Sequence, residues 1–230
     1  MSATVGTAEI GPAHLPRVDV EAFILANMPL VPVPSIAGIS LHTAQPSSGL
    51  WRLLGQGGGG GHSPYWAYPW AGGAALARHF LAHPEIVRGR SVLDLGAGSG
   101  LVAIAAVRAG AASTIAADID PLAAVATRLN AAANGVGVSV VQDDLTKGPP
   151  PSVDMIAVGD LFYDRQLALR VTAFLDRCLV AGIDILVGDP GRAFLPYQRL
   201  RPIAEYQVAD FGETGATKHA GVFSFTACPA

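Results

Sequence analysis

Ser91-Val92-Leu93-Asp94-Leu95-Gly96-Ala97-Gly98-Ser99-Gly100 is an apolar strand running into a glycine-rich turn, and Leu101 to Val107 behind it is an apolar helix-forming run. Bare glycines let such a turn bend tightly and bring its amides close to a ligand. The helix behind it directs its positive end at a negative group docked there. The unit reads as a cradle for a nucleotide-type cofactor. A dinucleotide fold would place its third glycine three residues after the second. Here the spacing is Gly96-x-Gly98-x-Gly100 and position 101 is leucine, which disfavours a nicotinamide cofactor.

A second strand, Thr114 to Ala117, delivers Asp118 at its tip. A carboxylate there can accept both hydroxyls of a ribose, a role the dinucleotide fold also uses, so Asp118 alone selects no cofactor. Asp94, two residues before the first glycine, resembles the acidic start of the first motif of class I S-adenosylmethionine (SAM) methyltransferases, whose loop faces the amino-acid end of the cofactor. S-adenosyl-L-methionine is therefore the expected cofactor, and no metal is expected.

Outward from this unit, strands and helices alternate. A helix is predicted from Ala71 to about His83, strands at 91–95 and 113–117, and helices at 100–109 and 121–134, the latter with Asp120 as cap, Pro121 in first position and Gly135 as stop. Strands follow at 138–142, 153–158 and 183–187, a helix at 164–181, a short helix near 194–201, and a closing pair around 205–210 and 220–227. Such alternation builds an α/β doubly wound, mostly parallel seven-stranded sheet with both faces covered and its ligand site at the carboxyl ends of the strands. Upstream, residues 1–17 read as a loose arm, Asp19 caps a short helix to about Asn27, and Val31 to Thr43 reads as an extended piece or edge strand. Gly57 to Gly61 reads as either a mobile loop near the cofactor mouth or a plain linker, the linker being favoured because a glycine run lacks side chains for chemistry. The expected division is an N-terminal extension over 1–62 and a methyltransferase domain over 63–230.

The chain has 230 residues, net charge -3 and 14% charged residues. That balance gives no basic footprint for gripping a nucleic-acid backbone. No run reaches the ~20 apolar residues that span a bilayer. The first sixteen residues show neither a secretory signal nor an Arg-rich transit pattern, so the cytoplasm is the default location. Two cysteines, Cys178 and Cys228, suggest packing rather than a disulfide framework. A monomer is the expected state.

The chemistry-bearing residues collect after predicted strands. One of Asp143 and Asp144 is expected to accept from an adenine amino group, although adjacent acids can equally cap a turn. Asp160 and Tyr163 follow the fourth strand, where methyl-transfer enzymes place the groups that face the acceptor. A carboxylate at 160 can hold a cationic amine and a phenol at 163 can align its lone pair. The competing reading makes Asp160 the cap of the following helix, for which Asp164 is better placed, and Phe162 and Tyr163 core aromatics. Asp189 and Arg192 either contact substrate or pair with each other to fix their loop, the pairing being favoured. Trp66 and Trp70 either wall a pocket or fill the core.

The tracts Pro64 to Gly73, Gly89 to Gly96, Asp118-Ile119-Asp120-Pro121, Gly159 to Asp164 and Gly188-Asp189-Pro190-Gly191-Arg192 together resemble the seven-β-strand protein-lysine methyltransferases that modify the β-subunit of electron transfer flavoprotein. The resemblance covers roughly residues 64–228; residues 1–63 match no feature of it, and Ala71 stands where the animal relatives tend to have proline. It implies SAM-dependent methylation of lysine ε-amines on a folded protein, with the flavoprotein β-subunit as first candidate acceptor. It further implies Asp160 and Tyr163 at the acceptor. Trp66, Trp70, Gly72, Asp94, Gly96, Ala97, Gly98, Gly100, Asp118, Ile119, Asp143, Asp144 and Asp160 are the residues it places at the cofactor. A methyltransferase of another protein, such as a ribosomal protein, or of a small-molecule amine is the alternative. An adenine or glutamine-amide enzyme is disfavoured because Leu161 and Phe162 stand where such enzymes carry the two prolines of an Asn/Asp-Pro-Pro-Tyr/Phe element. A non-enzymatic SAM-binding module is disfavoured by the acids at 94, 118 and 160.

Overall fold

The computed structural model describes residues 19–53, 63–209 and 217–227; the expected arm over 1–17, the Gly57 to Gly61 run and Cys228 lie outside them. The chain enters through helix α1 (Val20–Asn27), whose first amides donate to the Asp19 carboxylate. A short ladder follows, β1 (Leu30–Pro32) and β2 (Ser40–His42), then a single turn, α2 (Trp51–Leu53). Helix α3 (Ala71–Ala82) opens the alternating part: β3 (Ser91–Leu95), α4 (Leu101–Arg108), β4 (Ser113–Asp118), α5 (Pro121–Ala133), β5 (Ser139–Gln142), β6 (Met155–Gly159), α6 (Arg165–Val180) and β7 (Asp184–Asp189). The hairpin strands β8 (Leu200–Ala209) and β9 (Thr217–Phe225) close it.

Seven strands form one sheet in the order β5-β4-β3-β6-β7-β9-β8. The first five run parallel, and β9 enters antiparallel between β7 and β8. The chain leaves β3 toward β4 and β5, then returns to lay β6 on the other side of β3. That reversal opens a crevice at the carboxyl ends of β3 and β6, where open α/β sheets bind ligands. Strand alternation divides the core. Val92, Met155, Ala157 and Leu186 face α3 and α4, with Leu76, Phe80 and Ile104, while Leu93, Ile156, Val158, Ile185 and Val187 face α6, with Phe174 and Leu175.

One local expectation is corrected. The region 194–201 is one 3-10 turn (Tyr197–Arg199) leading into β8, because pairing with β9 from Leu200 to Ala209 overrides the local helical pattern. Pro202 is tolerated in β8 because that strand is the outer edge of the sheet. The stretch from Val31 to Thr43 is extended as expected: among the described residues β1 and β2 pair with each other rather than with the main sheet, and β2 lies against α5. His42 N–H donates to Asn130 Oδ1 at 2.8 Å, and Ser40 exchanges two bonds with Asn134. Phe23, Ile24, Met28 and Leu53 then bury with Trp66, Leu122 and Ala126. No helix of the described residues is long and apolar enough to cross a membrane. Cys178 is buried in α6.

Candidate active site

The glycine turn is held open from behind. Gly96, Gly98 and Gly100 take φ values of 73°, 52° and 80°, a left-handed region that side chains rarely adopt. The Gly98 amide donates to Asp118 Oδ2 at 2.9 Å, and its carbonyl accepts from Thr127 Oγ1 at 3.0 Å. Asn130 Nδ2 donates to the Ser99 carbonyl at 2.9 Å, so the same side chain that receives β2 also fixes the turn. Asp94 stands behind the loop on the α4 side, where its Oδ2 accepts the Ala103 N–H at 3.0 Å and caps the first turn of α4. Burial pushes this carboxyl up to about 7, with the Ala103 bond opposing and Asp118 adding.

In front of the turn lies a cavity of about 440 Å³, built from the ends of β3, β4, β5 and β6. Gly96, Gly98, Asp118, Ile119, Asp143 and Asp144 are among the residues that line it, together with Trp66, Trp70, Asp160, Tyr163 and Arg192. Of the residues picked from the sequence, Gly72, Asp94, Ala97 and Gly100 support this surface without lining it. Asp118 Oδ1 accepts the Asp120 N–H at 2.9 Å, and burial raises its carboxyl against the pull of its amide partners. Asp144 Oδ1 caps its own turn through Thr146, and Lys147 reaches its other oxygen at 3.3 Å. Burial raises Asp144, but these partners outweigh it and hold the carboxyl low. Asp143 accepts the Asp144 N–H at 2.7 Å.

Asp160 lines the same cavity, in a left-handed conformation with φ 59° that asparagine and aspartate tolerate best outside glycine. Its N–H donates to the Gly188 carbonyl. Oδ2 accepts the Gly73 N–H at 2.9 Å, which caps the first turn of α3. Oδ1 accepts from Arg192 Nε at 3.1 Å and Nη2 at 2.6 Å. Burial pushes Asp160 up to about 6, with the Arg192 charge and the Gly73 bond opposing. Helix α6 is capped by Asp164, which accepts the Leu167 N–H, so the reading of Asp160 as the cap of that following helix is set aside.

The expected pairing of Asp189 with Arg192 to fix their loop is made through the Arg192 main chain rather than its guanidinium. Asp189 Oδ1 accepts the backbone N–H groups of Gly191 and Arg192, both at 2.7 Å, and the Arg192 guanidinium crosses to Asp160 instead. A carboxylate spent on two amides fixes the turn and leaves the cation for the neighbouring buried acid. The guanidinium also lies 5.5 Å from the centroid of the Trp70 ring. Trp70 donates its indole N–H to the Tyr65 carbonyl, and the Tyr65 ring stands 5.2 Å from that of Tyr163. Tyr163 is half-exposed, and burial is the main cause that raises its phenol, keeping it protonated in the neutral range.

Thr127, Asn130 and Asn134 escaped the sequence reading although they recur at helical spacing on one face of an alanine-rich helix, a pattern that marks polar contacts to something outside the helix. Tyr65 escaped it as well.

Several known proteins resemble this chain. The ribosomal protein L11 methyltransferase (PrmA) family model matches residues 81–158. The electron transfer flavoprotein beta subunit lysine methyltransferase of Danio rerio is 38% identical over 199 residues, which is 84% of this chain and 77% of that protein. The protein of the same description from Rattus norvegicus is 44% identical over 131 residues, covering 56% of this chain and 51% of its own length. Among solved structures, ribosomal protein L11 methylase from Lactobacillus delbrueckii subsp. bulgaricus superposes with a TM-score of 0.51 at 21% identity, over 70% of this chain and 81% of that one, a likeness of fold.

Proposed function

The chain belongs to the electron transfer flavoprotein β-subunit lysine methyltransferase family, and from that premise we propose that it methylates lysine ε-amines of a folded protein, the flavoprotein β-subunit being the first acceptor. Its cofactor is S-adenosyl-L-methionine. The cavity fits that group. Its glycine turn presents bare backbone at Gly96 and Gly98 to the cavity, Leu161 packing so close that a Cβ on Gly96 would meet it at 2.6 Å, and its volume is in the usual range for a cofactor site. The buried indole N–H of Trp66, in the wall, has no partner among the described residues.

Asp118 would take the ribose diol. Each carboxylate oxygen has a second acceptor site beyond the one used by Gly98 or Asp120. Asp143, less engaged than Asp144, would accept from the adenine amino group. The glycine turn would cradle the amino-acid end. When bound, the cofactor supplies an electrophilic methyl on a sulfonium, and this chain's residues must present a neutral amine in line with it.

The observation that carries the acceptor assignment is the buried carboxylate of Asp160, which already binds a side-chain cation at the cavity wall. It would receive the lysine ammonium, orient it and draw its proton, leaving the lone pair free to attack. Tyr163, protonated, would align the nitrogen through its hydroxyl oxygen. The matched stretch 81–158 of the ribosomal-protein methyltransferase model ends before Asp160, so that match supports the cofactor half and leaves the acceptor to the flavoprotein-enzyme relatives. The test is intact-mass and peptide mass spectrometry of purified flavoprotein β-subunit after reaction with the chain and SAM. Methyl additions on lysine support the reading. An unmodified subunit alongside a methylated small amine, or a methylated ribosomal protein, refutes it.

A further inference from the structure

Arg192 binds Asp160 in the way an acceptor would. Its guanidinium donates twice to Oδ1 and lies over the Trp70 ring, so one resident cation takes both attractions that this wall offers a positively charged amine, the ion pair and the aromatic face. The seat is nearly closed: the Asp160 side chain is 9% exposed, whereas that of Arg192 is 23% exposed. The Arg192 backbone is pinned by Asp189, so the guanidinium can turn toward solvent about its side-chain bonds while the loop stays in place.

We propose that Arg192 is a built-in competitor for the acceptor lysine: it fills the seat between Asp160 and Trp70, and an amine reaches Asp160 only when contacts made elsewhere by a folded protein acceptor drive the guanidinium out. This rests on the assignment of Asp160 as the acceptor carboxylate. It assigns Arg192 a role in specificity, because a free amine brings only the attractions that Arg192 already satisfies, while a docked protein adds remote binding energy. Removing the guanidinium would leave a buried carboxylate without its cation, and any amine could then relieve it.

The experiment uses the full chain with SAM and two acceptors, the flavoprotein β-subunit and Nα-acetyl-lysine methylamide, measured with the parent, Arg192→Gln and Arg192→Lys. The expected result is a KM for the small amine lowered by roughly tenfold or more in Arg192→Gln, with a much smaller change for the protein acceptor, so that selectivity for the protein falls. Arg192→Lys keeps a cation but loses the forked contact, and its selectivity is expected between the two. Circular dichroism melting follows the fold, and if Arg192→Gln does not fold, the selectivity of Arg192→Lys decides. Selectivity within about twofold of the parent in the folded variants overturns the proposal. So does equal loss of kcat on both acceptors in Arg192→Gln with full recovery in Arg192→Lys, because that pattern belongs to a structural ion pair. A parent that leaves the flavoprotein subunit unmethylated strikes the assignment of the acceptor instead, and does so before any variant is made.

Discussion

Gly72 and Gly188 lie backbone against backbone: a Cβ built on either would fall far inside contact distance of the other's carbonyl oxygen, and one on Gly72 would also stand 2.7 Å from Asp160 Oδ2. The approach lays the first turn of α3 flat on the ends of β6 and β7. The Gly73 N–H consequently reaches the Asp160 carboxylate, although 87 residues separate them in the chain.

Gly72→Ala is therefore expected to lift α3 from the sheet and displace Asp160, destabilising the protein by about 1–3 kcal/mol as overpacked sites do. Gly73→Ala is the control, because a Cβ there meets only Val102 at an ordinary 3.6 Å and the amide is retained. Thermal melts and methylation rates of the two variants decide. Equal stability and activity for both would remove the argument from close packing.

Asp118→Ala is expected to weaken S-adenosylhomocysteine binding strongly, since hydrogen bonds to a charged group contribute roughly 1.5–3 kcal/mol each and the same carboxylate also holds the Gly98 amide. Folding should survive, because the cavity wall is not the core. Calorimetric titration reads the result, and an affinity within twofold of the parent would contradict the ribose assignment.

For Asp160→Asn, methyl transfer is expected to fall by roughly 10²-fold or more while S-adenosylhomocysteine affinity changes far less. Asparagine tolerates the left-handed backbone and can still accept the Gly73 N–H, so the change isolates the charge. Tyr163→Phe should show a milder loss. A variant that folds and turns over near the parental rate at saturating SAM and acceptor would overturn the role of the carboxylate.

The parallel sheet and its strand ends were legible because each cue was local: apolar runs of strand length, glycines at the turn, Asp120-Pro121 and Asp164 at helix starts. Asp94 to Gly100, Asp118 and Asp160 followed from position in that alternation. What stayed hidden was set by contacts distant in sequence. Nothing near Ser40 or His42 announces that their backbone will bond to Asn130 and Asn134. Arg192 follows Asp189 across the short Pro190-Gly191 turn, a spacing that invites a local pair, and only the fold brings Asp160 within reach of its guanidinium. Leu200 to Ala204 carry no strong strand pattern of their own, and their conformation comes from β9.

The two buried acids that cap helices give the protein an unusual pH dependence. Asp94 is raised to about 7 and Asp160 to about 6. A carboxyl whose folded pKa lies above its unfolded value binds its proton more tightly in the native state. Its contribution to stability is fully present below the unfolded value and is lost as pH rises through the folded one. Stability is thus expected to fall between about pH 5 and pH 8, on the order of a few kcal/mol from Asp94. Asp94→Asn removes the titrating group while its amide oxygen can still accept the Ala103 N–H. Urea midpoints at pH 5 and pH 8 are the measurement: the parent should lose stability toward pH 8, and the variant should lose distinctly less. Asp160, with Asp118 and Asp189, which burial also raises, leaves a residual slope in the variant. An unchanged slope in Asp94→Asn would show that the Asp94 carboxyl is not held protonated by its burial.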